Sequence, residues 1–293
     1  MRAFDSEVVE AVWSAVAGLL PERAETHPLG CHRRRVADRV CFQAMLIRLV
    51  TGCSWVVTEV LVGGVVSDTT LRARRDEWIA AGVFDRLVTE ALAAYDRIVG
   101  IDGDEACADA SQHKAPVGGA DTGPNYWDRG KQGWKWSLVT DRDGIPLGWT
   151  TAAANRPDAS LLGATLDDVA RRGFLGDVGR LHLDAGYHWA SVLAACGDRG
   201  LVVVTPPRRT RSKTGHGRFA KGRRRQGYRA VAHRPDRHRW PIERTNSWLS
   251  NFGQLRRNTD RTGRHREAQL ALAITLLLAA KLIDWRNRWS PIR

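Results

Sequence analysis

Trp136 to Thr151, W-S-L-V-T-D-R-D-G-I-P-L-G-W-T-T, is the stretch on which the class of the fold turns. Trp136–Thr140 and Ile145–Thr151 are β-type runs, rich in aromatic and β-branched residues, and the D-R-D-G between them is a turn. A hairpin of this kind excludes an all-helical protein. Working outward, Ile98–Ile101 and Ala106–Gln112 read as short strands before it. After it come a helix over Asp158–Arg172, a strand over Arg180–Asp184, a helix from about Trp189 to Arg199, and a strand over Leu201–Thr205. Strands in hairpin order followed by alternating helix and strand predict a mixed β-sheet with flanking helices, α+β passing into α/β.

That order is the one expected of a ribonuclease-H-like core, placed at residues 99–293. Residues 1–98 read as an all-helical module instead. Asp5 or Ser6 caps a first helix that Pro21 closes, a second runs from Val36 to Thr51, and a third from Trp55 to Val62. Gly63-Gly64 then makes a turn into a helix over Leu71–Ala81 carrying Arg72, Arg74 and Arg75. Two short helices joined by a glycine turn, the second rich in arginine, fit a helix-turn-helix that binds DNA. An ordinary helical bundle with a basic face fits the same residues. A helix over Val83–Ile98 leads out of this module. At the other end, residues 264–289 read as a buried C-terminal helix, because the apolar run Leu270–Ala280 is too short to span a bilayer.

The charge is concentrated. The chain has 293 residues and a formal net charge of +13, but Pro206–Arg261 holds 17 Lys/Arg against 3 Asp/Glu, leaving 28 against 29 elsewhere. The segment 206–238 within it is poor in large apolar residues, so it reads as a basic loop or arm, either a solvated linker or a contact for phosphates. Such a charge points to a polyanionic partner, and no membrane partner is expected. Five cysteines without a C-x-x-C pair argue against a zinc knuckle and a disulfide scaffold, and the N-terminus lacks the order of a signal peptide. A reducing cytoplasm is the expected location.

Three acids stand out on these elements. Asp184 ends the strand L-H-L-D, at the edge where open α/β sheets gather ligands. Asp109 lies in a strand, where an aspartate is disfavoured without a reason, although Asp102 and Asp104 compete with it on sequence physics alone. Glu243 sits early in a helix begun by R-W-P-I-E-R, with Pro241 suited to the first turn; alone it would be an ion-paired surface residue.

Ordered blocks then carry a resemblance: D-A-S-Q-H-K-A-P-V-G-G (109–119), T-G-P-N-Y-W-D-R-G-K-Q-G-W-K-W-S (122–137), G-I-P-L-G-W (144–149), N-R-P-D-A-S-L-L (155–162), L-H-L-D-A-G-Y (181–187) and R-W-P-I-E-R-T-N-S-W-L-S-N-F-G-Q-L-R-R-N-T-D-R (239–261). Together they resemble the DDE transposases of bacterial insertion sequences, in the insertion-sequence-five group of the insertion-sequence-four superfamily. The resemblance implies that Asp109, rather than Asp102, is the first acid, with Asp184 the second and Glu243 the third. It also implies two Mg²⁺ ions, with Mn²⁺ an alternative, held by these three residues. Arg239 matches the superfamily's Arg before the Glu, whereas Asp236 and Ser250 stand where it has Tyr and Lys, so Arg244, Arg256 or Arg257 is expected to supply the substrate contact of that Lys. Ala110 and the A-G-Y-H after Asp184 also depart from the usual pattern.

The implied activity is that of a DNA transposase that binds its element's terminal inverted repeats, cleaves the ends and joins 3′-hydroxyls to target DNA by two-metal phosphodiester transfer. Arg72, Arg74, Arg75, Lys114, Arg239, Arg244, Arg256 and Arg257 are the expected DNA contacts. Trp127 is the expected stacking residue, with Trp134, Trp136 and Trp149 read as core. A homodimer or higher oligomer on double-stranded DNA follows from the same resemblance. Alternatives on the same residues are a stand-alone metal-dependent nuclease of this fold, and a non-catalytic DNA-binding regulator or inactive transposase copy.

Overall fold

A computed structural model describes residues 3–22, 35–206 and 239–289. Most of the basic arm, residues 207–238, therefore lies outside the described residues. Two compact units form. One gathers Met1–Gly100, His113–Thr122 and Trp248–Arg293, the other Ile101–Gln112 and Gly123–Ser247.

The first unit is helical. Asp5 caps α1 (Ser6–Leu19) by accepting from the Glu7 N–H at 3.0 Å, and Val8, Val12 and Val16 line its buried face at a spacing of four. α2 (Asp38–Thr51) buries Phe42, Met45 and Leu49 and stops at Gly52. α3 (Trp55–Leu61) and α4 (Asp68–Ala80) start on Ser54 and Ser67, whose hydroxyls accept from the N–H three residues on. α5 (Val83–Ile98) follows, and α9 (Gly253–Arg256) and α10 (Gly263–Trp289) complete the unit. The helix α10 is longer than its most apolar run, and on length and composition alone it could cross a membrane. Half of its most apolar window is buried, because Leu270, Ile274 and Leu278 pack in the core that α10 shares with α5 and α1.

The second unit is organised by a six-stranded sheet. β1 (Glu105–Lys114) supplies its central strand, joined by β2 (Gly123–Asn125), β3 (Lys131–Thr140), β4 (Pro146–Ala153), β5 (Arg180–His182) and β6 (Val202–Val204). The strand β3 bonds to β1, β2 and β4, while β5 lies between β1 and β6. Pairing is antiparallel for β2–β3 and β3–β4 and parallel for β1–β5 and β5–β6, so the sheet is mixed. α6 (Leu162–Arg171) packs on β4 and β3, α7 (Ala190–Gly197) packs beside β6, and α8 (Trp240–Ser250) follows the basic arm in sequence. Two expectations are corrected. Ile98–Ile101 is not a strand, because α5 runs through Ile98 and Gly100 then turns the chain at a φ of 92°. The three-residue β2 was not foreseen, being too short to show alternation.

The hairpin turn is closed by its own aspartate. Asp141 Oδ1 accepts from the N–H groups of Asp143 and Ile145 at 2.9 and 2.7 Å. Gly144 adopts a φ of 79°, and a β-carbon there would meet Thr245 Oγ1 at 2.7 Å and the Pro241 carbonyl oxygen at 2.8 Å. The turn is therefore also the seat of α8. The Thr245 hydroxyl donates to the Gly144 carbonyl at 2.6 Å, and Arg244 donates to the Asp143 carbonyl at 2.6 Å.

Candidate catalytic site

Asp109 stands within β1 and Asp184 two residues beyond the end of β5. These strands pair in parallel, Glu105 with Arg180, Ala106 with Leu181 and Cys107 with His182. Carrying that frame forward brings Asp184, just past the carboxyl end of β5, level with Asp109 in the middle of β1. Asp184 is fixed from both sides: its Oδ1 accepts from the Gly186 N–H at 2.7 Å, and its carbonyl accepts from the Thr205 hydroxyl at 2.9 Å.

The helix α8 reaches the same place through Asn246, and so does Arg239, the residue just before the helix. The Asn246 amide donates to Asp109 Oδ2 at 3.2 Å and accepts from Trp136 Nε1 at 2.8 Å. Arg239, whose carbonyl accepts from the Glu243 N–H, places its guanidinium 3.6 Å from Asp109 Oδ1. Glu243 lies four residues after Arg239 and three before Asn246, hence on the helix face that both use. Its side chain is exposed, and no three His, Cys, Asp or Glu side chains among the described residues form a group that could hold a metal ion. The structure thus brings Asp109 together with Asp184, Arg239 and Asn246, and does not close the three-acid cluster.

Burial lifts the Asp109 carboxyl to a pKa of about 6, against the pull of the Arg239 guanidinium and the Ala110 N–H; the charges of Asp184 and Asp158 add to the rise. Asp158 is itself held by the buried Lys135, which donates to it at 2.5 Å and to the Arg156 carbonyl at 2.7 Å. Tyr187 is buried three residues after Asp184, with its hydroxyl unpartnered among the described residues. Its pKa is pushed well above that of a free phenol, first by burial and then by the charges of Asp109, Asp158 and Asp184. Carboxylate oxygens gathered about the buried Asp109 are donors suited to a hard divalent cation such as Mg²⁺.

Sequence reasoning missed Asn246, Asp158, Lys135 and Tyr187. Asn246 had a signal, one helical turn after Glu243, and Asp158 stood in a quoted block without being singled out. A lysine in the middle of a buried strand was the mark of Lys135.

The expected DNA contacts are dispersed. Arg74 and Arg75 are buried, which removes them from any DNA-facing surface: Arg74 pairs with Asp38 and Glu77, and Arg75 with Asp76 and Asp260. Arg72 is exposed but paired with Asp68. Arg244 stacks over Trp240 at 4.8 Å, while Lys114, Arg256 and Arg257 are exposed in the helical unit. Trp127 is 90% exposed, beside Tyr126 at 76%.

An acid on each of two neighbouring parallel strands, with a third on a helix docked over them, is an arrangement suited to metal-assisted phosphodiester chemistry. A profile described as "Transposase DDE domain" matches residues 102–279, and one described as "Putative transposase of IS4/5 family" matches residues 8–88. Because the first spans well over half of the sequence, the chain belongs to the DDE transposase family of insertion sequences. It is similar to the "Putative transposase for insertion sequence element IS402" of Burkholderia cepacia, 31% identical over 161 residues, covering 53% of this chain and 67% of that protein. No solved structure matches the chain.

Proposed function

We propose that this transposase binds the terminal inverted repeats of its insertion sequence in the bacterial cytoplasm, cuts the ends and joins their 3′-hydroxyls to target DNA. The catalytic core is ribonuclease-H-like, within residues 99–293, and residues 1–98 form a DNA-end-binding module. Asp109, Asp184 and Glu243 are the metal ligands. The observation that carries this reading is the convergence on Asp109: Asp184 shares its level in the sheet, and α8 grips its carboxylate through Arg239 and Asn246 on both sides of Glu243.

Asp109, Asp184 and Glu243 would hold two Mg²⁺ ions, or Mn²⁺, which when bound would supply activation of the attacking hydroxyl and charge compensation at the leaving oxygen. The chain's own residues do the positioning. Trp136 holds Asn246, Asn246 and Arg239 fix the plane of the Asp109 carboxylate, and the Gly186 N–H and Thr205 hydroxyl fix Asp184. Lys135 balances the charge of Asp158 beside them. Trp127 is placed to stack on an unpaired base, and two protomers hold two ends.

The test is cleavage of a supercoiled plasmid carrying the element's ends, with Mg²⁺, by the wild type and by Asp184→Asn. Cutting followed by joining in the wild type, and neither in the variant, is the expected outcome. Equal products from both proteins would refute the assignment, and cutting without joining would favour a nuclease.

A further inference from the structure

In the helical unit, the arginines that the fold uses are neutralised. Arg35, Arg39, Arg48, Arg72, Arg74 and Arg75 each engage a carboxylate. Arg256, Arg257, Arg261 and Arg264 differ: all four are exposed within nine residues of sequence, and none makes an ion pair with another described residue. Unneutralised like charges so close together destabilise a compact state, so their clustering needs a reason outside stability.

Backbone contacts bring Lys114 alongside them. Lys114 is bridged in parallel to Arg257, and the Asn258 N–H donates to the Lys114 carbonyl at 2.8 Å. Six residues on, the Ala120 N–H donates to the Arg261 carbonyl at 2.8 Å. The two segments therefore run side by side. Residues paired across a parallel bridge project to the same side, so Lys114 lies on the side of Arg257. Beneath lies Arg266, fully buried one turn into α10. Its Nη1 donates to the Asp260 carbonyl at 2.7 Å, while Nε and Nη2 have no partner among the described residues. The N-terminal end of a 27-residue helix adds positive potential beside the ridge, while Asp121, Asp260 and Glu267 act on Arg266 itself. Val117 is the one large apolar side chain exposed among the described residues of this ridge, too little for the apolar centre of a protein interface.

We infer that this ridge, Lys114, Arg256, Arg257, Arg261 and Arg264, is a DNA-contact surface belonging to the helical unit, which takes the backbone phosphates of duplex DNA. The inference rests on the transposase function proposed above and replaces the helix α4 as that unit's grip on DNA. Guanidinium groups suit phosphate oxygens because they donate in pairs, and each contact releases counterions from the duplex.

The experiment is duplex binding by the full chain, followed by fluorescence anisotropy across a salt series. Wild type is compared with a variant combining Arg256→Gln, Arg257→Gln, Arg261→Gln and Arg264→Gln, and with an Arg97→Gln/Arg288→Gln control at exposed positions elsewhere. The slope of log affinity against log salt is expected to fall by about 3 to 4 in the fourfold variant, at about 0.9 per lost phosphate contact, and to hold in the control. Should the fourfold variant melt early, Arg257→Gln/Arg264→Gln is expected to lower the slope by about 1 to 2. An unchanged slope and affinity in a variant that melts like the wild type overturns the surface and leaves the catalytic proposal standing. A wild type that fails to bind any duplex at low salt overturns both, whereas Asp184→Asn is expected to bind as the wild type does.

Discussion

Asp109 and Asp184 are separated by the same 75 residues that pair Glu105 with Arg180, Ala106 with Leu181 and Cys107 with His182 across β1 and β5. Their juxtaposition is thus a property of strand register, and a one-residue slip of β5 would lose it. Each structural relationship around this pair has a measurable consequence.

Asp109 is expected to lower stability at neutral pH. Its folded pKa of about 6 exceeds the ordinary 3.8, so between these values the folded chain keeps a proton that the unfolded chain has released. The stability contributed by the protonated form is complete below 3.8 and is lost as pH rises through about 6. Asp109→Asn should therefore raise Tm at pH 8 in the presence of a chelator, by the equivalent of about 1 to 3 kcal/mol, with no gain at pH 3.5. It should also abolish cleavage. Melting curves at the two pH values decide it, and an unchanged or lower Tm at pH 8 contradicts the burial argument.

Asn246→Ala removes the link from Trp136 to the Asp109 carboxylate while leaving every proposed ligand in place. Loss of such a supporting bond typically costs about 10- to 100-fold in metal affinity or activity. The Mg²⁺ concentration for half-maximal cleavage should rise accordingly, with Tm little changed. A normal Mg²⁺ requirement would assign Asn246 to packing alone.

Gly144→Ala tests the seat of α8. The substitution forces a left-handed φ on alanine and drives its methyl into Thr245 and Pro241, for a loss of about 1 to 3 kcal/mol. Gly130→Ala is the control: its φ is 73° but no atom lies within 4 Å of the added carbon. The expectation is that both lower Tm and that Gly144→Ala alone loses cleavage at a temperature where it remains folded.

Arg75 and Arg72 are neighbours on one helix with opposite fates. Arg75→Ala leaves the buried Asp260 short of a partner and should cost about 3 to 5 kcal/mol, whereas Arg72→Ala, an exposed pair, should cost less than about 1. Denaturant unfolding of the two variants separates these values. Equal losses would contradict the burial of Arg75.

Local signals made much of the fold legible. The cap at Asp5, the helix Val83–Ile98 and the hairpin around D-R-D-G all depend on residues a few positions apart, and they stand where those signals place them. The burial of Arg74 and Arg75 was not legible. Its causes are Asp38, Glu77 and Asp260, and Asp260 lies 185 residues from Arg75. The strand expected at Ile98–Ile101 failed because a helix with a strong apolar face outlasts a weak β-type run at its end. In the site, Asp109 was separable from Asp102 and Asp104 only by its resemblance to a family. In the structure Asp109 lies within β1, and the other two precede it.

The shared offset makes the sheet a ruler for everything between its marks. β1 and β5 are neighbours, so the chain from 115 to 179 is an excursion that leaves one strand and returns to the next. Its loops can lengthen or shorten without moving either aspartate, provided the strands keep their frame. The hairpin turn belongs to that excursion yet seats the helix of Glu243, so among its turns Asp141–Gly144 is held to its length.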